Sequence, residues 1–560
     1  MGHDVFDRLE LSRLTDRISI FDWFAIKLLM VTDSTSVTYG PAPGNALPFS
    51  LGEVVRALTH PPGGGPWIKV TKAHRRLDPN GTGSGPSRVT PANLENFTFS
   101  AASLAGYDQV WLVGAEHAWE GAELSEAELQ ALTHFMNAGG GVFATGDHED
   151  MGVTLSGKVP RVRSMRKWWY STTPPHGEPH APDATGADRY DTLRPDVNGQ
   201  FYFDNQSDDT PMPIWPTWYT WGIWEYPHPL LCGHHGVIDI LPDHMHEGEV
   251  ITPDGTDAAS GWSGSGVPGG LGNSLSFNGE TFTEYPTKDG VQARPMIVAQ
   301  ADVIAGHRTP STESSHPSDS APTNGRRFAV VGAYDGFASG VGRVAVDSTW
   351  HHFFDINIVG DPVAPPPKNQ GFRASPAGQA ALARIENYYV NIATWLTPNK
   401  GYFFVGWLMV AMRSAFAVEL LPAPGREVSR TRQLQIGEAV YGGLRRFLPP
   451  CAVLDIVVVI YREIQIKWQL PNPPDPWGPQ EREATIDPTQ WTIAALGGMA
   501  IALHDALHDE RKLTGHEARA LLHKGLARGL HTFAHGKLHE AKATLHSADQ
   551  LLRALERHGL

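Results

Sequence analysis

The chain has 560 residues, 41% of them hydrophobic and 19% charged, a balance that builds a sizeable core and excludes a mostly disordered protein. Its 58 glycines and 44 prolines make it loop-rich, but they follow no fixed period, which excludes collagen and simple repeat arrays. The formal net charge is −15, and this argues against general nucleic-acid binding, because neutralising phosphates takes clustered Lys and Arg.

The N-terminal stretch MGHDVFDRLELSRLTDR carries charges throughout and has no apolar run of the kind a secretory signal needs. The first strand-like segment is AIKLLMVTD (25–33), a continuous apolar run as expected of a buried parallel strand. SLGEVVRALTH (50–60) has helical spacing, WIKVTKA (67–73) is a second strand, and YDQVWLVGA (107–115) is a third. LSEAELQALTHFMNAGG (124–140) reads as a helix: Ser125 is the N-cap, Glu128 follows three residues later, and glycines close the end. GGVFATGDHED (140–150) is a fourth strand running into a Gly-Asp-His turn. RRFAVVGAYD (326–335) and GRVAVDSTWHH (342–352) are late strands of the same kind. Strands alternating with helices predict an α/β fold with a doubly wound parallel sheet, whose site lies at the carboxyl ends of the strands.

Between about 156 and 325 the alternation breaks down, which predicts a long loop-rich insertion, with 309–325 a surface loop. DPVAPPPKNQ (361–370) has the composition of a linker. The expected domains are therefore 1–365, α/β with its insertion, and 375–560, α-helical. The longest apolar stretches, 401–412 and 491–503, are too short to span a bilayer. Cys232 and Cys451 are too few for a disulfide framework. A reduced, cytoplasmic protein is the simplest expectation.

The order of strand, helix, Gly139-Gly140-Gly141, strand 142–145 and elbow Gly146-Asp147-His148 resembles the class I glutamine amidotransferase-like superfamily, nearest its trehalose-utilisation (ThuA-like) branch. Gly342-Arg343-Val344 leading to Trp350-His351-His352 is similar to the late strand and histidine of that group. The resemblance covers roughly 25–155 and 325–360. It implies a flavodoxin-like fold, with backbone oxyanion donors at Val113-Gly114-Ala115. Where such amidotransferases carry a nucleophilic cysteine at the elbow, this chain has Asp147 and His148. Cys–His glutaminase chemistry is therefore not expected, since a fold can keep its shape while its chemistry changes.

Ligand-type residues cluster at Asp147-His148-Glu149-Asp150, at Asp243-His244-Met245-His246-Glu247, at Asp347 with His351-His352, and at Glu116-His117. In an extended segment, His244 and His246 share one face. With Glu247 and His148 they form a set suited to a divalent metal, zinc first and iron or manganese next. The catalytic candidates are Asp147, His148, Glu149, His351 and His352; the metal candidates are His148, His244, His246 and Glu247. The alternative is that, among 26 histidines, these are satisfied polar residues after strands.

Arg161, Arg163, Arg166 and Lys167 either hold an anionic substrate group or neutralise the chain's own acidic loops. Trp215, Trp218, Tyr219, Trp221, Trp224 and Tyr226 form either a stacking platform or a small core of the insertion. His531, His535 and His539 fall on one helix stripe. The expected function is a metal-dependent hydrolase or lyase acting on a small polar substrate. Two alternatives remain: metal-free hydrolysis by an Asp/His pair at the elbow, or a binding or scaffold protein whose helical region self-assembles as a homo-oligomer or recruits a partner.

Overall fold

The computed structural model describes residues within 25–167, 210–303, 326–398 and 401–557. The larger stretches left out inside these spans are 41–48, 76–93, 117–122, 148–150, 243–248, 253–273, 415–420, 469–486 (477 excepted) and 508–514. The chain divides into two compact units, Ala25–Tyr219 with Pro227–Asn399, and Lys400–Leu560 with Thr220–Tyr226.

The first unit is built on a sheet of nine strands. In chain order they are β1 (Ile26–Thr32), β2 (Ile68–Arg75), β3 (Leu94–Phe97), β4 (Gln109–Val113), β5 (Gly141–Thr145), β6 (Trp215–Pro216), β7 (Met296–Val303), β8 (Arg326–Tyr334) and β9 (Val344–Asp347). Their spatial order is β3-β2-β1-β4-β5-β9-β8-β7-β6. The strands from β3 to β9 are parallel. As predicted, 25–155 and 325–360 share one mostly parallel sheet. β4 and β5 are buried at every residue, as strands covered on both faces must be.

β8 departs from the predicted pattern, because it pairs antiparallel with β9. Only 335–343 joins them, which is too short for the crossover a parallel pair needs. The insertion also does more than loop out: β7 pairs antiparallel with β8, and β6 with β7, extending the sheet.

α1 (Gly52–Thr59) and α2 (Glu126–Asn137) are the main helices before β5. α2 starts as predicted: Ser125 accepts from the Glu128 amide while Glu128 reaches back to the Ser125 amide. It ends at Gly139, whose φ of +100° is a conformation glycine adopts readily. α3 (Pro376–Trp395) was expected to open the helical domain. It belongs instead to the sheet unit. The Gln109 side-chain amide donates to the Ala393 carbonyl, and Arg343 donates to the Trp395 carbonyl. The division therefore falls near 399, beyond the proline-rich 361–370.

In the second unit the described regular structure from 400 onward is helical: α4 (Gly401–Ser414), α5 (Arg430–Leu444), α6 (Pro450–Trp468), α7 (Pro488–Leu507) and α8 (Gly515–Arg557). No described helix is long and apolar enough to cross a membrane.

Candidate functional site

The ladder register sets the site. Thr32 of β1 pairs with Val113 of β4, Val113 with Thr145 of β5, and Ala144 with Val346 of β9. Four neighbouring strands thus end at one level. Asp33, Ala115, Asp147 and Thr349 lie just past those ends, at the carboxyl edge where such sheets carry their sites.

Asp147 is fully buried. Its Oδ1 accepts from the Thr349 hydroxyl at 2.8 Å, and its Oδ2 lies 3.1 Å from His351 Nε2. The other ring nitrogen of His351, Nδ1, is 3.2 Å from Asn357 Oδ1. Asp147, His351 and Asn357 therefore form a line, with the imidazole held at both nitrogens. Thr349 also caps the single turn that carries His351, accepting from its amide at 3.1 Å. The Asp147 amide donates to the Met151 carbonyl at 2.9 Å and closes the elbow.

Arg166, fully buried, locks the two halves of this arrangement together. One of its terminal nitrogens donates to the Asp147 carbonyl at 3.1 Å and to the Ser348 carbonyl at 2.6 Å. Glu284, also buried, holds the segment that delivers it. Glu284 accepts from the Arg161 amide at 2.5 Å, the Ser164 hydroxyl at 2.8 Å and Arg163 Nε at 3.1 Å. The arginines of 161–166 thus serve the protein's own loops, and Arg166 reaches the site through backbone carbonyls.

His352 has a different place. Its Nδ1 is 2.8 Å from Asp347 Oδ1, the Tyr388 hydroxyl donates to Asp347 Oδ2 at 2.7 Å, and Tyr389 donates to the His352 carbonyl at 2.6 Å. All four residues are buried. They fasten the end of β9 to α3, so His352 is a packing residue beside the Asp147–His351 pair.

The amides expected to serve as oxyanion donors are engaged. Gly114 N–H donates to the Thr145 carbonyl at 3.2 Å, and Ala115 N–H to Asp33 Oδ1 at 2.8 Å. Gly114 is glycine for space: a Cβ there would stand 2.5 Å from the Gly152 Cα, where the elbow passes over β4.

Burial raises the Asp33 carboxyl to about 6, against hydrogen bonds from the Thr154 hydroxyl (2.5 Å) and the Ala115 amide. Burial likewise raises Asp355 to about 7, although it accepts from the Glu53 amide at 2.8 Å and caps α1. A folded-state pKa above the unfolded one means the native state binds the proton more tightly. The associated stability is fully present below about pH 4 and is lost as pH rises through about 6 and 7. Unfolding free energy of the wild type should therefore carry a component that falls between about pH 4 and 7. Asp33→Asn should remove the part centred lower, a shift of that size corresponding to about 3 kcal/mol. Denaturant midpoints measured across this pH range check it; an unchanged pH slope in Asp33→Asn would contradict it.

Of the predicted residues, the structure brings Asp147 and His351 together and sets His352 aside. His148, Glu149, His244, His246 and Glu247 lie outside the described residues. Among the described residues no group of three His, Cys, Asp or Glu side chains could hold a metal ion. His531 and His535 meet at 3.1 Å between their Nε2 atoms on α8, far short of a three-ligand set. Neither cysteine is a free thiol, so the expectation of reduced cysteines is not met. Trp215 and Trp218 are exposed at 49% and 50%. Trp215 is no bare platform, since its Nε1 donates to Asp302 and Arg327 lies over its ring at 4.6 Å. Thr349, Asn357 and Asp33 were not predicted as site residues, and Arg166 was named for an anionic substrate group or the acidic loops, not for the two backbone carbonyls it holds. The one signal for the first three was sequence proximity: Thr349 and Asn357 flank the histidines, and Asp33 ends β1.

No known protein family, curated protein or solved structure matches the chain.

Proposed function

We propose that the chain is a hydrolase acting on a small polar substrate at the carboxyl edge of its sheet, with Asp147 and His351 as the chemical pair. The observation that carries this reading is the Asp147 Oδ2–His351 Nε2 contact at 3.1 Å, with Asn357 on the far ring nitrogen. A carboxylate and an imidazole in hydrogen-bond reach, the ring oriented by a third group, is the general arrangement of an activated nucleophile or base. Asp147 holds the Thr349 hydroxyl through Oδ1 and the His351 ring through Oδ2. Its roles are nucleophile or base, and His351 moves the proton at Nε2. His148 and Glu149, next in the chain, supply further acid–base groups.

A divalent metal, zinc first and iron or manganese next, is proposed on His148, His244, His246 and Glu247. When bound it would polarise a carbonyl or activate a water. Elemental analysis of the purified chain tests this part: a stoichiometric transition metal, lowered in His246→Ala, is the expected result. Metal-free protein with full turnover would leave hydrolysis to the Asp147–His351 pair alone.

We further propose a flavodoxin-like fold related to the class I glutamine amidotransferases and their ThuA-like branch. The supporting fact is that, without β3, the parallel strands run β2-β1-β4-β5-β9, the 2-1-3-4-5 order. A cytoplasmic location is the reading the cysteines oppose, since cytosolic glutathione keeps thiols reduced. Thiol titration of protein purified under alkylating conditions decides it: two reactive thiols support the cytoplasm, none opposes it.

The second reading, a scaffold that self-assembles through its helical unit, is favoured by α8, whose C-terminal half is exposed almost throughout. Function as a hydrolase is tested by turnover of chromogenic ester, phosphate, glycoside and anilide substrates by the wild type.

A further inference from the structure

α8 is 43 residues long, and its two halves differ. The first half packs into the helical unit: Leu522, Leu526 and Phe533 are buried, and a Cβ on Gly525 would meet the Met499 backbone of α7 at 2.5 Å. From 537 to 553 every residue is exposed. That stretch nevertheless carries leucines: Leu538, Leu545 and Leu552 are 52%, 71% and 59% exposed. These three leucines are seven residues apart, with Leu551 (61% exposed) beside the third, and Ala541 and Ala548 stand three residues after the first two. This is the a/d spacing of a coiled-coil seam. A lone helix with this stripe leaves its apolar face in water, whereas an identical stripe covers it.

We infer that residues 537–557 of two copies of this chain pair antiparallel into a coiled-coil dimer. The inference rests on the self-assembly reading above and names its surface. Self-pairing follows from the pattern, since the seam is complementary to a second copy of itself. In the antiparallel register Leu545 faces Ala548 of the second copy, and Ala541 faces its Leu552. Large thus meets small in these two layers, and the backbones approach closely there.

Charge selects the orientation. With Leu538, Leu545 and Leu552 at a, Lys542 and Asp549 fall at e and Lys537 at g. Antiparallel helices bring e against e, so Lys542 meets Asp549 of the second copy. Parallel helices bring g against the following e, so Lys537 would meet Lys542, like against like. The helix from 537 to 557 is about 30 Å long at the usual rise, room for three heptads of seam.

Sedimentation equilibrium of the full chain tests this. The wild type should dimerise in the micromolar range. Leu538→Ser/Leu545→Ser/Leu552→Ser should weaken the dimer at least tenfold with unchanged far-UV circular dichroism, because all three side chains are exposed in the single chain. Lys542→Asp and Asp549→Lys should each weaken it several-fold, and the double exchange should recover most of the loss. A wild type that stays monomeric at all concentrations overturns both the inference and the self-assembly reading. A dimer indifferent to the leucine substitutions overturns the inference alone and places self-assembly elsewhere. A dimer tightened by Lys542→Asp overturns the antiparallel arrangement.

Discussion

Asp147→Ala should destabilise the sheet unit by about 3–5 kcal/mol, the usual cost of removing one partner from a buried pair. The substitution strips the buried Thr349 hydroxyl and His351 ring of their shared acceptor. The loss reaches further than one contact. Thr349 caps the turn carrying His351, so an unanchored Thr349 frees that turn as well. Asp147→Asn should behave differently. Its amide oxygen still accepts from Thr349, and its NH2 donates to a neutral His351 at Nε2. The ring then donates from Nδ1 to Asn357 Oδ1. Its cost should be about 1 kcal/mol, near the net value of one hydrogen bond. Denaturant unfolding of the two variants side by side checks this; equal losses would show that the hydrogen bonds around Asp147 are not what holds the elbow to β9.

Glu284→Ala carries the second large effect. Glu284 is the acceptor for a backbone amide, a hydroxyl and a guanidinium at once. One of the donors belongs to Arg161, whose backbone sits at φ +70° and whose guanidinium is fully buried. Burial lowers the Arg161 pKa, and the charge of Glu284 opposes that. Without it the cation is left with the Asn137 side-chain oxygen at 2.8 Å as its hydrogen-bonded partner. A destabilisation of about 3–5 kcal/mol is expected, with Glu284→Gln losing less because it retains an acceptor oxygen. The consequence for the site is specific: residues 161–166 deliver Arg166 to the carbonyls of Asp147 and Ser348. Glu284→Gln should therefore lower turnover while the protein remains folded, and a rate equal to that of the wild type would separate Glu284 from the site.

The sheet was legible wherever a strand is covered on both faces. QVWLV and GVFAT are mostly apolar, as is AIKLLMVTD apart from its exposed Lys27, and each became a strand where it was expected. The elbow after β5 and the histidine pair after β9 were legible because strand ends of a parallel sheet share one edge. The roles of the two histidines were not. His351 and His352 are adjacent, and only the direction of the single turn through 350–352 decides that one faces Asp147 and the other Asp347. The antiparallel pairing of β6 with β7 was hidden because β6 is two residues long and its partner lies more than eighty positions further on. Glu284 was likewise invisible: 118 positions separate it from Arg166, which itself meets the pair only at the Asp147 backbone carbonyl. The exposed seam of α8 escaped because the histidine stripe on the same helix is denser than the leucines beside it.

The central claim, that the Asp147–His351 pair is the chemical centre, is met most directly by one rate comparison. Asp147→Asn preserves the hydrogen bonds and removes the carboxylate, so it isolates chemistry from folding. On whichever chromogenic substrate class the wild type hydrolyses, the variant should fall by about 10²–10⁴-fold in kcat, the usual contribution of a positioned general base, with its unfolding midpoint close to that of the wild type. A variant that turns over at the wild-type rate would contradict the assignment.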